Sequence, residues 1–464
     1  MDGPAKYLAQ PRAALLGSPM HLNPPQAVID IARQLRDRGY DTWAVGGAVR
    51  DALLGLPHAD WDLATNARPE EVRRVFKRTV PIGIEHGTVG VLARDGVLYE
   101  VTTFRRDVET DGRHAVVQFA DTVDEDLGRR DFTINALAWH PLTEELRDPH
   151  GGLVDLRDAV LRTVGEPADR FAEDYLRVLR ALRFAGHFVL TIDPRTWAAL
   201  VAAVPQLPGL SAERIREELF KILGKTRHAS AALKLYAASG ALRYWYAELQ
   251  EIVGRETAPT AAPSGVWAQT LTAVDALPVT RPVVRLAALL HGLGMPTART
   301  RDLRGGWSYA GHEAIGTRKA EALLRRLKCS NADIDRVTRL VALQSELFPP
   351  DAPPPVVRRW LAHVTPAYLP DLFRLRAALA RAHGELGGDV AQRWRTARRV
   401  LRERPPLTVQ DLAVDGGDLK ALGLSPGPVF GAVLRGLHDR VLDDPSLNEK
   451  ERLLRIVREE LLRT

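Results

Sequence analysis

Cysteine is almost absent from the 464-residue sequence, in which Cys329 is the single example. One thiol cannot form an intrachain disulfide or a site built from several thiolates. Long apolar runs are also missing, and no segment approaches the ~20 residues of a membrane-spanning helix. Residues 1–26 contain five prolines and no apolar stretch of the kind that marks a signal peptide. We therefore predict a soluble, cytoplasmic protein with no membrane partner.

Lysine is scarce relative to arginine, and aromatic residues make up only 6% of the chain. The net charge is +6 and the isoelectric point is near 9.5. A modest positive charge fits a nucleic-acid partner, although an arginine- and alanine-rich codon bias would produce it as well. The length allows two to four domains at ~100–200 residues each.

The residues from Ala44 to Leu63, AVGGAVRDALLGLPHADWDL, have the pattern strand, glycine turn, helix, turn, strand. The adjacent Gly46 and Gly47 allow a sharp turn and let a ligand approach the backbone. A helix is predicted over residues 48–54, with Arg50 in its first turn. Its N-terminus would offer unpaired N–H groups to a phosphate.

Asp60 and Asp62 stand at the start of the second strand. Side chains at positions i and i+2 of a strand point the same way, so both carboxylates would face one point. Paired aspartates beside a phosphate site suit Mg²⁺ in phosphoryl or nucleotidyl transfer. Glu100, in a strand predicted over residues 98–104, is a candidate third carboxylate, with an ordinary exposed strand glutamate as the alternative.

Further along, we predict a mobile loop over residues 105–119 and a helix over residues 124–138 that the charged residues Arg129, Arg130 and Asp131 interrupt. After Asp169 the pattern is helical to the end of the chain. A helix over residues 171–184 would place Arg177, Arg180 and Arg183 on one side, with Asp174 at the edge. These charges suit a nucleotide site, and an ordinary solvated helix face is the alternative. A further helix over residues 210–223 would be capped by Ser211.

Five ordered motifs, GGAVRD, DWD, RRDFTINALA, EDYLRVLRALRF and ERIREELFKIL, closely resemble the bacterial class II tRNA nucleotidyltransferases and poly(A) polymerases. The resemblance is strong over residues 28–225 and weaker towards the C-terminus. It implies an α/β head of the polymerase-β-like nucleotidyltransferase type, followed by an all-α neck, body and tail. The implied divisions are an N-terminal extension (1–26), head (27–163), neck (164–225), body (226–350) and tail (351–464).

The resemblance also implies roles for particular residues. Asp60 and Asp62 match the Mg²⁺-binding aspartates, with Glu100 as a possible catalytic partner. The nucleotide-binding positions that match are Gly46, Gly47, Arg50, Arg130, Asp174, Arg177, Arg180 and Arg183. The implied substrates are CTP, ATP and the tRNA 3′ acceptor end, which is extended to CCA without a nucleic-acid template.

The expected base choice has a chemical reason. A carboxylate accepts from an exocyclic amine, and arginine donates to a ring nitrogen or a carbonyl. Cytosine and adenine present an amine beside an acceptor, whereas uracil and guanine present a carbonyl beside an N–H. Asp174 with Arg177 would therefore admit CTP and ATP and reject UTP and GTP.

Two departures from the family pattern leave alternatives open. The 105–119 segment is a residue or two short and lacks the usual aromatic residue, so CC addition, A addition and poly(A) synthesis remain alternatives to full CCA addition. Some relatives carry a His/His-Asp phosphohydrolase site in the body. Here Gly292 replaces the aspartate, Gln269 and Gln344 stand where histidines are expected, and His291 and His312 remain. We interpret this body as a degenerate, structural domain. A non-catalytic RNA-binding protein on the same scaffold is the non-enzyme alternative.

Overall fold

The computed structural model describes residues 22–57, 60–84, 87–110, 115–253, 265–301, 307–425 and 427–461. Most of the predicted N-terminal extension therefore lies outside the described residues. The chain divides into two compact units, the first ending at Gln250 and the second beginning at Glu251. The predicted head, the neck and residues 226–250 of the predicted body belong to the first unit. No described helix is both long and apolar enough to cross a bilayer.

The first unit contains eleven described strands: β1 (Thr42–Val45), β2 (Asp62–Thr65), β3 (Thr79–Gly83), β4 (Thr88–Leu92), β5 (Leu98–Thr103), β6 (Arg105–Thr110), β7 (Ala115–Phe119), β8 (Ala138–Trp139), β9 (Leu146–Arg147), β10 (Val160–Leu161) and β11 (Thr191–Ile192). Seven of them form one sheet in the order β3-β4-β5-β2-β1-β8-β9. Its strand pairs are antiparallel except β2 with β5, which are parallel. This mixed sheet confirms the predicted α/β head.

The described helices of the first unit are α1 (Gln26–Arg36), α2 (Gly47–Leu53), α3 (Pro69–Val75), α4 (Val123–Gly128), α5 (Gly152–Arg157), α6 (Pro167–Glu173), α7 (Leu176–Phe188), α8 (Pro194–Ala203), α9 (Ala212–Lys225), α10 (Ala229–Ala238), α11 (Leu242–Trp245) and α12 (Ala247–Gln250). Helix α1 packs on β1, and α3 packs on β4 and β5. The apolar face predicted for α1 is buried, namely Val28, Ile31, Ala32 and Leu35. One face of the sheet is thus covered by helices.

The helix predicted over residues 124–138 is wrong beyond Gly128. Phe132 is extended and bridges Thr163, a single 3₁₀ turn covers Thr133–Asn135, and the chain then enters β8. The physical reason is burial on every side. Each residue from Asp131 to Trp139 is buried, which suits a segment passing through the core and not a helix with one wet face.

Two other expectations need correction. The loop predicted over residues 105–119 is a β-hairpin of β6 and β7 in its described part, with the tip at residues 111–114 outside it. The helix predicted over residues 171–184 is broken, because α6 ends at Glu173 and α7 begins at Leu176. Asp174 is extended at this break and accepts the backbone N–H of Leu176 (3.0 Å). Ser211 precedes α9 as predicted, although its side chain makes no capping hydrogen bond.

The described part of the second unit contains the helices α13 (Val266–Ala276), α14 (Pro282–Leu290), α15 (Met295–Ala298), α16 (His312–Arg326), α17 (Asn331–Leu343), α18 (Pro354–Val364), α19 (Leu369–Ala382), α20 (Gly388–Arg402), α21 (Gly416–Ala421), α22 (Pro428–Asp443) and α23 (Lys450–Leu461). The region after Asp169 is mostly helical, as predicted, but not entirely. β11 pairs with β10 in the first unit, and β12 (Thr300–Arg301) pairs with β13 (Trp307–Ser308) in the second.

Candidate active site

The turn after β1 depends on glycine for two separate reasons. Gly46 has a φ of +73°, which side chains other than glycine rarely adopt. A Cβ atom at this position would also lie 2.6 Å from Nη1 of Arg130. Gly47 opens α2, which has only seven residues, so the helix dipole alone supplies little of the positive charge that a triphosphate needs. The arginines around the turn supply the rest.

The candidate carboxylates meet at the adjoining edges of β2 and β5. Asp62 is the first residue of β2, and Glu100 lies in β5, the parallel neighbour of β2. Partial withdrawal from water, together with the charges of Glu100 and Asp60, raises the pKa of the Asp62 carboxyl to about 6, although Arg130 opposes this shift. Between the two aspartates, Trp61 points into the core. The alternation expected from the DWD motif is therefore present.

A cavity of about 510 Å³ opens between one face of the sheet and α7. It brings together nine of the predicted site residues: Gly46, Gly47, Arg50, Asp62, Glu100, Arg130, Asp174, Arg177 and Arg180. Asp60 lies outside the lining but acts electrostatically on Asp62. Arg183 also lies outside it, because its Nε donates to Oε2 of Glu218 on α9 (2.6 Å).

The buried carboxylate of Asp126 binds two arginines that line the cavity, Arg129 and Arg130. Asp126, 1% exposed, accepts from Nε and Nη2 of Arg129 (3.0 and 2.9 Å) and from Nη2 of Arg130 (3.2 Å). Burial alone would raise the pKa of Asp126, but Arg129, Arg130 and Arg105 hold it below its usual value. The Nε of Arg130 is buried with no hydrogen-bond partner among the described residues. This cluster of cations over one anion is prepared for an added negative charge, such as a triphosphate.

A chain of hydrogen bonds links the glycine turn to α7. Arg50 is buried, bonds to Asp51 and to Oδ1 of Asn135, and stacks over the Phe188 ring at 4.4 Å. Asn135 in turn donates to Asp131 (2.9 Å), which receives Nε of Arg180 (2.8 Å). Burial opposes the charge on Asp131, yet Arg180 and Asn135 hold its pKa at about 2. Arg50 thus lines the cavity with most of its hydrogen-bonding capacity already used.

The predicted base-selecting pair sits where α6 breaks into α7. Oδ2 of Asp174 accepts Nη2 of Arg214 on α9 (2.7 Å). Arg177 is held by Glu173, by the Arg170 carbonyl (3.0 Å) and by the Arg129 carbonyl (3.2 Å). Both side chains are therefore oriented before any nucleotide binds. A base that hydrogen-bonds to Asp174 shares that carboxylate with Arg214 or displaces it.

Several residues of the site escape sequence reasoning. Asp126, Asn135 and Arg214 position the predicted residues, and Thr88 and Thr102 line the cavity beside Glu100. Asn135 follows Asp131 by four residues. In a sequence that looks helical, this spacing suggests two neighbours on a helix, but the segment is not an α-helix in the structure. Asp126 shows no signal of its own, because an acidic residue in the first turn of a helix is commonplace.

The histidines of the predicted body bind backbone carbonyls. Nδ1 of His291 lies 2.7 Å from the carbonyl oxygen of Ala288, and Nδ1 of His312 lies 2.9 Å from that of Tyr309. Burial lowers the pKa of His291 to about 4. Gln344, one of the glutamines at an expected histidine position, donates to the backbone oxygen of His291 (2.9 Å). These contacts suit structural side chains.

The donor set of the head suits a hard divalent cation. Burial, and after it the charges of Glu100 and Asp60, raise the pKa of Asp62, and a bound cation would stabilise the ionised carboxylate. Within the described ranges, no group of three or more acidic, histidine or cysteine side chains is arranged to hold a metal ion alone. Such a metal would take further ligands from a bound triphosphate, as Mg²⁺ commonly does.

Comparison with protein families matches residues 42–162 to the poly A polymerase head domain. Residues 190–252 match the probable RNA and SrmB-binding site of polymerase A. The first match covers the sheet and the carboxylates, and the second begins just before α8 and ends after α12. The first match agrees with the resemblance that the motifs indicate.

Full-length relatives are CCA-adding enzymes. That of Geobacillus stearothermophilus is 33% identical over 437 residues, which cover 93% of this chain and 96% of the relative. That of Geobacillus thermodenitrificans is 34% identical over 93% and 96% of the two chains. The crystal structure of the Bacillus stearothermophilus CCA-adding enzyme with CTP matches with a TM-score of 0.73 and 31% identity, covering 95% of this chain and 99% of that one. The Thermotoga maritima CCA-adding enzyme complexed with tRNA, at 19% identity and a TM-score of 0.57, shares the fold.

Proposed function

The chain belongs to the family of CCA-adding enzymes, and from that premise we propose that it adds CMP and AMP, taken from CTP and ATP, to the 3′ end of tRNA without a nucleic-acid template. In each step the RNA 3′-oxygen would attack the α-phosphorus of the nucleotide, and pyrophosphate would leave. One observation carries the proposal. A single cavity is lined by carboxylates, by a cluster of arginines, and by Asp174 and Arg177, which lie at the break between α6 and α7.

The carboxylates would form the reacting side of the cavity. Asp60 and Asp62 would hold a divalent metal, which we propose to be Mg²⁺, with Glu100 beside them. When bound, the metal would lower the pKa of the 3′-hydroxyl and stabilise the departing pyrophosphate. Asp62 contributes a carboxylate in the partly desolvated setting that favours a cation partner.

The arginines would bind and orient the triphosphate. Arg129 and Arg130 are fixed through Asp126, and the buried Nε of Arg130 would gain a partner. Gly46 keeps this space open, because a Cβ atom there would displace the Arg130 guanidinium from its present position. Arg50 and Arg180 would act mainly by positioning, since Asn135 and Asp131 already occupy them.

Base selection would rest on Asp174 and Arg177. A cytosine or adenine amine would donate to Asp174, while an N–H group of Arg177 would donate to the adjacent ring nitrogen or carbonyl. Uracil and guanine would place a carbonyl against the carboxylate and leave buried groups unpaired, which costs orders of magnitude in rate. We propose that the reaction takes place in the cytoplasm, where tRNA and both nucleotides are available.

Substitution of the aspartates tests the enzyme against its rivals. In Asp60→Ala and Asp62→Asn, nucleotide incorporation should fall by at least roughly 10³-fold, the scale of losing a charge-stabilising catalytic group. Binding of tRNA should be retained. RNA binding by the wild type without any incorporation would favour the non-catalytic scaffold. Phosphatase activity that survives Asp60→Ala would favour a hydrolase in the body.

A further inference from the structure

The face of the sheet that carries Glu100 continues outward beyond the cavity as an exposed surface. Residues alternate between the two faces of a strand, and partners in register share a face. Thr88 and Thr102 lie on the cavity side, with their hydroxyls 3.0 Å apart. Gly90 is in register with Glu100, and Val80 is in register with Gly90. One continuous face therefore runs from the carboxylates across β5, β4 and β3.

The two faces of these strands differ in their surroundings. On the inner face Val89, Val91, Tyr99 and Val101 are almost fully buried, with α3 packed over β4 and β5. The outer face instead exposes three large apolar side chains: Val80 (42% exposed), Ile82 (42%) and Leu98 (41%). An exposed apolar cluster beside a reaction site commonly marks a surface for a ligand or partner.

Because Gly90 has no side chain, the apolar side chains on either side of it can lie flat against the sheet. A Cβ atom at position 90 would lie 2.6 Å from Cδ1 of Ile82 and 3.0 Å from Cδ1 of Leu98. The two side chains therefore close over the glycine from opposite sides. The result is an apolar platform made by Val80, Ile82, Gly90 and Leu98, which we call the β3–β5 platform.

The platform is within one or two nucleotides of the carboxylates. Leu98 and Glu100 are two residues apart on a strand, about 7 Å, and β3 lies two strand spacings from β5, about 10 Å. Exposed cationic side chains lie at the end of the platform that is farther from the carboxylates. Lys77 and Arg78 directly precede β3, and Arg94 is in the turn between β4 and β5. The backbone oxygen of Arg78 accepts the N–H of Leu92 at the end of β4 (3.0 Å), which places these groups together.

We propose that the β3–β5 platform binds the unpaired 3′-terminal nucleotides of the RNA being extended. The order of groups along this face fits a single strand of RNA. The carboxylates would face the 3′-hydroxyl, the apolar side chains would pack against bases or riboses, and the cations would bind the phosphates farther from the 3′ end. Unstacked bases pack against apolar as well as aromatic side chains, and apolar contact is non-directional, so it depends little on which base is present. That tolerance suits a site whose primer end changes with each addition.

A second copy of the chain is the other possible occupant. Two copies of a chain with a net charge of +6 repel each other. The exposed Lys77, Arg78 and Arg94 at one end of the platform instead attract a polyanion. For this reason the charge pattern favours RNA.

The inference rests on the proposed function and is tested by primer kinetics. In Ile82→Asp/Leu98→Asp, the KM for a tRNA transcript that ends before CCA should rise roughly tenfold or more, the scale of losing the burial of an aliphatic side chain. The KM for CTP and the Tm should not change. Ile82→Ser/Leu98→Ser, which removes apolar area without adding charge, should change the KM for tRNA in the same direction. Val154→Asp is the matched control, because Val154 is 45% exposed on α5 and belongs neither to the platform nor to the cavity lining.

The possible results separate the two proposals. No incorporation by the wild type would contradict the proposed function and the inference together. Normal wild-type activity with an unchanged KM for tRNA in both double variants would overturn the inference alone. A parallel rise in the KM for CTP or a lower Tm in both double variants would assign the effect to distortion of the sheet and would also overturn it. A wild-type dimer that the double variants dissociate, with the KM for tRNA unchanged, would identify the platform as a self-association surface.

Discussion

Charged side chains in this cavity are arranged so that each has a distinct environment. Asp62 sits beside two other carboxylates and has a raised pKa, whereas Asp131 is surrounded by donors and has a pKa near 2. The first arrangement favours the arrival of a cation, and the second maintains a permanent anion. In the proposed function, Asp62 would take part in the chemistry and Asp131 would position other side chains.

Asp174 should control the choice of nucleotide. In Asp174→Ala, the ratio of kcat/KM for CTP to that for UTP should fall by at least roughly a hundredfold, because the group that rejects a carbonyl is gone. The measurement is single-nucleotide incorporation with each of the four triphosphates. Glu166→Ala is the control, since its carboxylate pairs with Arg195 on the exposed surface. An unchanged ratio in Asp174→Ala would contradict the assignment.

Asp131 should contribute to stability in a pH-dependent way. Its folded pKa of about 2 lies below the usual value of 3.8, so its stabilisation is present above about pH 4 and is lost as the pH falls through 2. At pH 7, Asp131→Asn should lower the free energy of unfolding by about 2 kcal/mol. The difference in the free energy of unfolding between the variant and the wild type should be smaller at pH 3 than at pH 7. Chemical denaturation at both pH values checks this, and a gap that widens in acid would contradict it.

The sequence motifs predict the residues that line the cavity better than they predict the residues that hold those side chains in place. Asp62, Glu100 and Asp174 are placed together as expected. The sequence gives no sign of Asp126 and Asn135, because their roles depend on contacts fixed only when the 129–135 segment turns through the core. The motifs imply a nucleotide contact for Arg183, and in the structure its position on α7 turns it towards Glu218 of α9.

Some secondary-structure elements can be predicted from the local sequence and others cannot. The glycine turn, α1, α3 and the strand around Glu100 follow their local patterns. The break between α6 and α7 does not, because residues 171–184 carry a continuous helical period and no proline or glycine before Gly186. What breaks the helix is tertiary: Asp174 is extended, is held by Arg214 of α9, and accepts the backbone N–H of Leu176.

Close packing of α7 against α10 should make one glycine indispensable. A Cβ atom at Gly186 would lie 2.4 Å from the backbone nitrogen of Ala232, and a backbone atom cannot move as a side chain does. Gly186→Ala should therefore lower the free energy of unfolding by about 1–3 kcal/mol or more. Gly436→Ala is the control: this glycine lies within α22 with nothing within 4 Å of its Cβ position, and alanine should stabilise it slightly. Thermal denaturation of the two variants compares them. Equal effects would contradict the packing argument.

The whole molecule carries a net charge of +6, in keeping with a polyanionic substrate. If tRNA is held largely through phosphate contacts, its Kd should rise roughly tenfold or more between 50 and 200 mM salt. Titration of a tRNA transcript at several salt concentrations measures this slope. Retained affinity across the series would show that shape and hydrogen bonding, and not charge, dominate.

The central claim concerns the sequence of additions, and one assay tests it most directly. Labelled nucleotide is offered to three tRNA transcripts, ending before CCA, after C and after CC, with CTP and ATP supplied singly and together. The account predicts that all three are extended to CCA and that none is extended with CTP alone beyond CC. A stop at CC, extension of the CC-ended transcript only, or long A tails would contradict it and would indicate a CC-adding enzyme, an A-adding enzyme or a poly(A) polymerase, respectively.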